Sequence, residues 1–470
     1  MNARRWALGL LVAWLAGPVG VARSELKWPD TDLSRRVQAW FVQFAGSEDD
    51  ARAFLKANLS QVALSEASVD ARVAGRRNMV ARMQSLTPVE VLESTPTHMR
   101  VLAKAGSGDE PTLTVEAEEA PPHLIKTITL GFQVGGKGGG PAAPAGPPLS
   151  DDDAVREIRK QLDESAASGK FSGAVLLARG GKTLMRAAWG LADREKKTPI
   201  TPETRFNIAS IGKIPTRVAI AQLVAQRKLA LDDHLSKYLP DFPHADEITI
   251  DMLAAHRSGV GDVFNELYES MDHSKLRHNH DYLQLIRGQP LWFTPGTDER
   301  YSNGGYVLLG EVVEKASGMD YYDYLAKNVY EPAGMKATGA LVEGDGTPGV
   351  ARGYMRQGPE SGEETDNAAS RPARGSAAGG SYSTVDDLLA FDQALVSGRL
   401  CSPVWVSWVC EGPRAAGGKL GFGFAGGAPG IASEWEHEGD LVLIVLTNRD
   451  PAVTQPALAP VKDAFRRMKS

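Results

Sequence analysis

Cysteine is scarce in this chain. Cys401 and Cys410 are the only two among 470 residues, which excludes a disulfide framework and a cysteine-rich metal centre. Positive charge is not in excess either. The 52 basic and 58 acidic side chains leave a formal net charge of −6, so there is no basic footprint and nucleic acid is not expected as a partner. A bilayer span needs about 20 apolar residues, and the apolar core from Ala7 to Ala16 falls short of that. Arg4 and Arg5 precede it, and Gly20-Val21-Ala22 offers small residues for cleavage. Residues 1–22 therefore read as a signal peptide, with an uncleaved membrane anchor as the alternative. Both readings imply export, to a periplasmic or secreted location that permits disulfides. Cys401 and Cys410 could then pair, unless the stretch is one straight helix. In that case they lie about 13 Å apart along its axis and cannot.

The rest of the chain divides by composition. Residues 27–133 carry apolar positions at helical spacing (Val37, Trp40, Phe41, Phe44, then Ala51, Phe54, Leu55). Strand-like runs follow at Val89–Leu92, Met99–Lys104, Leu113–Ala117 and Thr127–Gln133. Helices followed by a meander predict a small α+β domain. Gly135 to Pro148 is rich in Gly, Pro and Ala and reads as a linker, within 134–150. From 151 to 470 the pattern is a helix (Ala154–Leu162), a hairpin around Gly180-Gly181, and a second hairpin from Ile431 to Thr447. A closing helix follows from Leu458 to Met468. Strands at both ends with helices between predict one antiparallel sheet built from distant segments, with residues 206–370 mostly helical.

The chemistry concentrates at Ser210-Ile211-Gly212-Lys213, a Ser-x-x-Lys opening a helical apolar stretch. Residues three apart share a helix face, so the hydroxyl sits beside the amine. A serine hydroxyl becomes a nucleophile only when a neighbour takes its proton. A helix start would supply N–H groups and a positive dipole end for the developing oxyanion. Pro215 requires that start to lie at or just before Ser210, since a proline is tolerated only in the first turn. Downstream come Tyr301-Ser302-Asn303 and the glycine-rich Gly423-Phe424-Ala425-Gly426-Gly427-Ala428-Pro429-Gly430. Taken alone, Tyr301 is a packed aromatic and Asn303 a cap for a helix beginning at Gly304.

The order Ser-x-x-Lys, Tyr-x-Asn, glycine-rich edge strand resembles the β-lactamase-related and penicillin-binding-protein-like serine hydrolases, in their class-C-like branch. His256-Arg257-Ser258-Gly259, Gly379-Gly380-Ser381-Tyr382-Ser383-Thr384 and Val445–Asp450 fit the same branch. The resemblance spans about 151–470 and implies a β-lactamase/transpeptidase-like α+β fold, with the site between sheet and helical part. The preceding domain resembles nuclear-transport-factor-2-like domains and suggests a packing or homodimerisation module. By resemblance Ser210 is the nucleophile and forms an acyl-enzyme, and Lys213 and Tyr301 share the proton work. Asn303 orients the substrate, and the N–H groups of Ser210 and Gly427 form the oxyanion hole. Phe424 and Gly426 line the edge strand. No cofactor and no metal are implied, and the partner is a small-molecule or peptide-like acyl substrate.

One departure matters most. The family's third motif carries Lys or His, and this chain has Phe424 followed by Ala425. The grip on a substrate carboxylate is lost. An esterase-like or amidase-like activity on uncharged or apolar acyl groups is therefore expected, with a D,D-peptidase or β-lactamase and an inactive ligand-binding homologue as alternatives. Two substitutes for the missing cation are His437, expected in a turn at Glu436–Gly439, and Arg449, otherwise a surface ion pair. His273, His278 and His280 match no standard ligand spacing and read as a pocket wall above Ser210. His256 reads as a hydrogen-bonded structural residue. Thr384 reads as an N-cap with Asp387 three residues on.

Overall fold

In the computed structural model, residues 26–131 and 146–468 are described, apart from 45, scattered positions between 67 and 84, and 107–110, 343, 357–363 and 411–419. The expected signal peptide and most of the expected linker lie outside the described residues.

The N-terminal part opens with α1 (Asp32–Phe44), α2 (Glu48–Asn58) and α3 (Gln61–Glu66). Ser47 and Asp50 satisfy the first free N–H groups of α2 in a reciprocal capping box. Strands β1 (Leu86–Ser94), β2 (His98–Ala105), β3 (Thr112–Ala117) and β4 (Ile125–Gly131) form an antiparallel sheet in chain order. On β2 every second side chain is buried: Met99, Val101, Ala103 and Ala105. These meet Val37, Trp40 and Phe44 of α1 in a core of their own. Apolar alternation on one face of a strand against a helical stripe suffices to explain this packing.

The second part begins with α4 (Asp151–Ala167), capped by Ser150 and acidic through its first turn, as a helix N-terminus favours. Strands β5 (Gly173–Arg179) and β6 (Lys182–Trp189) follow. Helices α5 (Lys213–Ala225), α6 (Asn303–Ser317) and α7 (Val385–Val396) come next, with shorter helical turns between them. The chain then returns through β7 (Gly421–Ala428), β8 (Ile431–Glu438), β9 (Leu441–Thr447) and α8 (Pro451–Arg467). The five strands form one antiparallel sheet ordered β7-β8-β9-β5-β6. Both ends of the part thus meet at the β9–β5 seam, as the sequence predicts.

The seam is buried on both faces. Val175, Leu177, Leu441, Leu443 and Val445 pack against α4 and α8. Ala174, Leu176, Val442, Ile444 and Leu446 face the larger core that contains α5 and α6. Two buried faces give a continuous apolar run rather than an alternating one. Helix α8 starts at Pro451, earlier than the expected Leu458, and holds Pro456 and Pro460 inside it. Its buried stripe of Val453, Ala457, Leu458, Val461, Ala464 and Phe465 anchors it along the sheet and outweighs the missing N–H donors.

Candidate active site

Helix α5 is buried almost all round, from Lys213 and Ile214 to Leu223, as expected for a helix at the centre of a large domain. It is preceded by a 3₁₀ turn, Ala209–Gly212, that holds Ser210. Pro215 therefore falls in the first turn of α5, where its missing N–H has no intrahelical partner to lose. Ala209 is forced to a positive φ of 44°, a conformation uncommon for a residue with a Cβ. The turn is clamped from two sides. Gly380 N–H donates to the Ala209 carbonyl at 3.2 Å, and Gly379 lies so close that a Cβ would stand 2.4 Å from that oxygen. From the sheet, Gly426 of β7 would place a Cβ 2.4 Å from the Ile208 carbonyl and 3.0 Å from the Ser210 nitrogen. Ser433 Oγ donates to Ile208 O at 2.9 Å and locks the same edge.

Three expected side chains converge here. Ser210 Oγ is 2.7 Å from Tyr301 Oη and 3.4 Å from Lys213 Nζ. Lys213 Nζ also donates to Asn303 Oδ1 at 2.7 Å and to the Ala378 carbonyl at 2.6 Å, and lies 4.7 Å from the centre of the Tyr301 ring. An ammonium has three donors and no acceptor, and the oxygens of Ser210, Asn303 and Ala378 lie within its reach here. Lys213 is 4% exposed and Tyr301 36%. The cation is thus sealed in beneath a phenol that reaches the surface.

Asn303 does not point at open space. Its Oδ1 faces Lys213, and its Nδ2 donates to Asp262 at 3.0–3.1 Å. Ser302, not Asn303, caps α6, accepting from Gly305 N–H at 2.9 Å, so the helix begins one residue before the expected Gly304. Gly427 follows Gly426 on β7, the outer strand of the sheet. Phe424 sits opposite Trp435, its ring 5.4 Å from Trp435 and 5.6 Å from Phe422. No cation takes its place in the β7 strand.

Neither substitute cation reaches the site. The turn expected at Glu436–Gly439 is displaced to Gly439-Asp440, and His437 lies in β8 opposite Phe422. It is buried against Asp392 at 2.9 Å and stacked on Phe422. Alternation decides this, since Trp435 and His437 share one strand face and Asp392 partners both. Arg449 pairs with the half-buried Glu364 at 2.5 Å, beside Arg194.

Thr384 caps α7 through Asp387 N–H, as expected. His273 bonds the carbonyls of Tyr268 and Ala369, while His278 stacks on His280. This segment backs residues 373–377, through Ala373 to His273 O, Arg374 to Leu276 O, and Ala377 to Asn279. Cys401 and Cys410 flank the helix Pro403–Val409 and are not bridged. Burial pushes the Cys401 thiol up to about 11.

His256 has a larger part than its sequence suggests. Its ring lies 4.6 Å from Tyr301 and 5.2 Å from Tyr306. Its Nδ1 accepts the Ser302 N–H at 3.1 Å. Burial, reinforced by the charges of Lys213 and Arg217, holds its pKa down at about 3, so it is a neutral support beneath the phenol.

Residues 155–464 match the family model described as Beta-lactamase. The chain belongs to the beta-lactamase family. Its members are serine hydrolases, and the fold is the β-lactamase/transpeptidase fold. Over 171 residues the chain is 35% identical to penicillin-binding protein 4* of Bacillus subtilis (strain 168), covering 36% of this chain and 38% of that protein. Over 288 residues it is 28% identical to the putative penicillin-binding protein PbpX of the same organism, covering 59% and 71%. The chain thus spans well under half of the first relative's length. Among solved structures, a penicillin-binding protein from Bacillus halodurans superposes with a TM-score of 0.59 at 28% identity, over 65% of this chain and 99% of that one. The D-amino acid amidase of Ochrobactrum anthropi SV3 superposes with a TM-score of 0.58 at 24% identity, over 67% and 99%, a likeness of fold alone.

Proposed function

We propose that this beta-lactamase-family protein is an exported hydrolase that cleaves ester or amide substrates with an uncharged or apolar acyl group, through an acyl-enzyme on Ser210. The observation that carries it is the 2.7 Å approach of Tyr301 Oη to Ser210 Oγ with Lys213 Nζ against both. With its N–H donors directed at oxygens, Lys213 acts as a fixed positive charge that favours the Tyr301 phenolate. Tyr301 takes the hydroxyl proton as Ser210 Oγ attacks the acyl carbon. The oxyanion is held by the N–H groups of Ser210 and Gly427. The proton passes from Tyr301 to the leaving oxygen or nitrogen, whose bond to the acyl carbon breaks. Water, deprotonated by the same phenolate, then releases the acid and restores Ser210.

The choice of acyl group rests on Phe424. A substrate carboxylate would meet a phenyl ring packed on Trp435, whereas an apolar group loses nothing there. Export rests on residues 1–22 alone; no helix among the described residues is long and apolar enough to cross a membrane. Residues 27–133 are read as a separate module that takes no part in the chemistry.

Turnover of p-nitrophenyl butyrate against nitrocefin tests the reading, together with fluorophosphonate labelling. Ester turnover and labelling that Ser210→Ala abolishes support it. Faster nitrocefin than ester hydrolysis would favour the lactamase alternative, and absence of any labelling the ligand-binding one.

A further inference from the structure

The Asn303 amide has two ways round. One presents its oxygen to Lys213 Nζ, the other its NH₂. Only the first is compatible with a neighbouring ammonium, because an amide nitrogen donates and cannot accept. What enforces that choice is a carboxylate on the far side. Both oxygens of Asp262 lie 3.0–3.1 Å from Asn303 Nδ2, and a carboxylate can only accept.

Asp262 is itself held. Its Oδ2 accepts the backbone N–H of Asn303 at 3.0 Å, and its Oδ1 that of Phe264 at 3.0 Å. Asn303 is the first residue of α6, so the carboxylate also faces the positive end of a 15-residue helix. The backbone around it leaves no slack. Ser302 Oγ donates to the Gly261 carbonyl at 3.0 Å, and a Cβ on Gly304 would stand 2.3 Å from that same oxygen.

We infer that Asp262 is a positioning residue for the hydrolytic reaction: it fixes the Asn303 amide with its oxygen on Lys213, and so holds the Lys213 ammonium against Ser210 and Tyr301. The inference rests on Lys213 and Tyr301 serving Ser210 as proposed above. It also gives Asn303 a task beside orienting the substrate, since its amide links Asp262 to Lys213. The anion acts in series: Asp262 to Asn303, Asn303 to Lys213, Lys213 to the reacting hydroxyl. Its negative charge raises the proton affinity of every titrating group near it.

The test is steady-state kinetics on p-nitrophenyl butyrate with Asp262→Ala, Asp262→Asn, Asn303→Ala and the Asp262→Ala/Asn303→Ala double variant. Thermal melts identify any variant that does not fold. Asp262→Asn keeps the shape and allows either amide orientation, so it carries the test if Asp262→Ala unfolds. The expected loss in kcat is on the order of 10–100-fold for Asp262→Ala, with KM little changed, the scale of a misplaced catalytic group. The double variant should be no slower than Asn303→Ala, because both changes break one chain of contacts. In Asp262→Asn the acid limb of the kcat/KM profile should move to lower pH. Additive losses, or a change confined to KM, would overturn the assignment and make Asp262 an independent or substrate-contacting group. An unshifted acid limb in Asp262→Asn would overturn it too. Fluorophosphonate labelling of Ser210→Ala is run beside these. If that variant still labels like wild type, the nucleophile assignment falls and Asp262 with it; if it does not label, failure of the kinetic pattern counts against Asp262 alone.

Discussion

Ser210 Oγ and Tyr301 Oη lie 2.7 Å apart although 91 positions separate them in the chain. One belongs to a strained turn before a buried helix, the other to the loop that leads into α6. The phenol is supported from below by His256 and flanked by Lys213, so its approach to the hydroxyl is held by ring contacts as well as by the hydrogen bond.

That arrangement sets the first expectation. Lys213→Ala and Tyr301→Phe should each lower kcat/KM on p-nitrophenyl butyrate by about 10²–10⁴-fold, the scale of lost acid–base help. Near-normal turnover in Tyr301→Phe would remove the phenol from the proton path, and in Lys213→Ala would remove the charge held to support it.

The β7 strand sets the second. Phe424→Lys restores a cation to an edge that lacks one. A hydrogen bond to a charged group contributes roughly 1.5–3 kcal/mol, so nitrocefin hydrolysis should rise about 10–100-fold while butyrate ester turnover falls. If both rates fell together, Phe424 would be a packing residue for Trp435 and not a selector of substrates.

A glycine sets the third. Gly426→Ala would push a methyl into the Ile208 carbonyl and Ser433 Oγ, at 2.4 and 2.5 Å. Two backbone segments must then separate, which costs about 1–3 kcal/mol. Urea unfolding should show that loss, and labelling of Ser210 should slow with it. By contrast Gly427→Ala meets only Pro451, at 3.2 Å, and should be close to wild type in stability.

The fourth concerns pH. His256 ordinarily titrates near 6.5 but is held at about 3 in the folded chain by burial and by Lys213 and Arg217. Between those values the unfolded chain binds a proton that the folded chain refuses. Stability therefore falls as pH drops through this window. In His256→Phe the decline in urea midpoint from pH 7 to pH 4.5 should be shallower than in wild type. An equal decline would place the acid sensitivity elsewhere.

Much of the architecture was legible beforehand because it is periodic. The β5 and β9 runs are apolar but for their last residues, Arg179 and Thr447, α4 carries its own cap and acidic first turn, and the hairpin around Gly180-Gly181 announces itself by its glycines. Two segments depart from their local pattern. The pattern predicts the closing helix only from Leu458, yet α8 runs from Pro451 with Pro456 and Pro460 inside it, since its buried stripe outweighs two missing donors. Glu436-His437-Glu438-Gly439 looked polar enough for a turn, yet His437 is a core residue because Asp392, from a helix far off in the chain, meets it.

By itself the chain determined which groups could do chemistry: a serine and a lysine three apart, a tyrosine and an asparagine two apart, and a glycine-rich strand with phenylalanine in place of a cation. Local spacing encodes these, because side-chain direction follows from helix and strand periods. Only the tertiary structure decided that Asn303 turns its oxygen to Lys213 and its nitrogen to Asp262, that the Ala378 carbonyl completes the lysine's surroundings, and that His256 lies under Tyr301. Those relations join segments that share no period, and a backbone carbonyl carries no residue identity to read in advance.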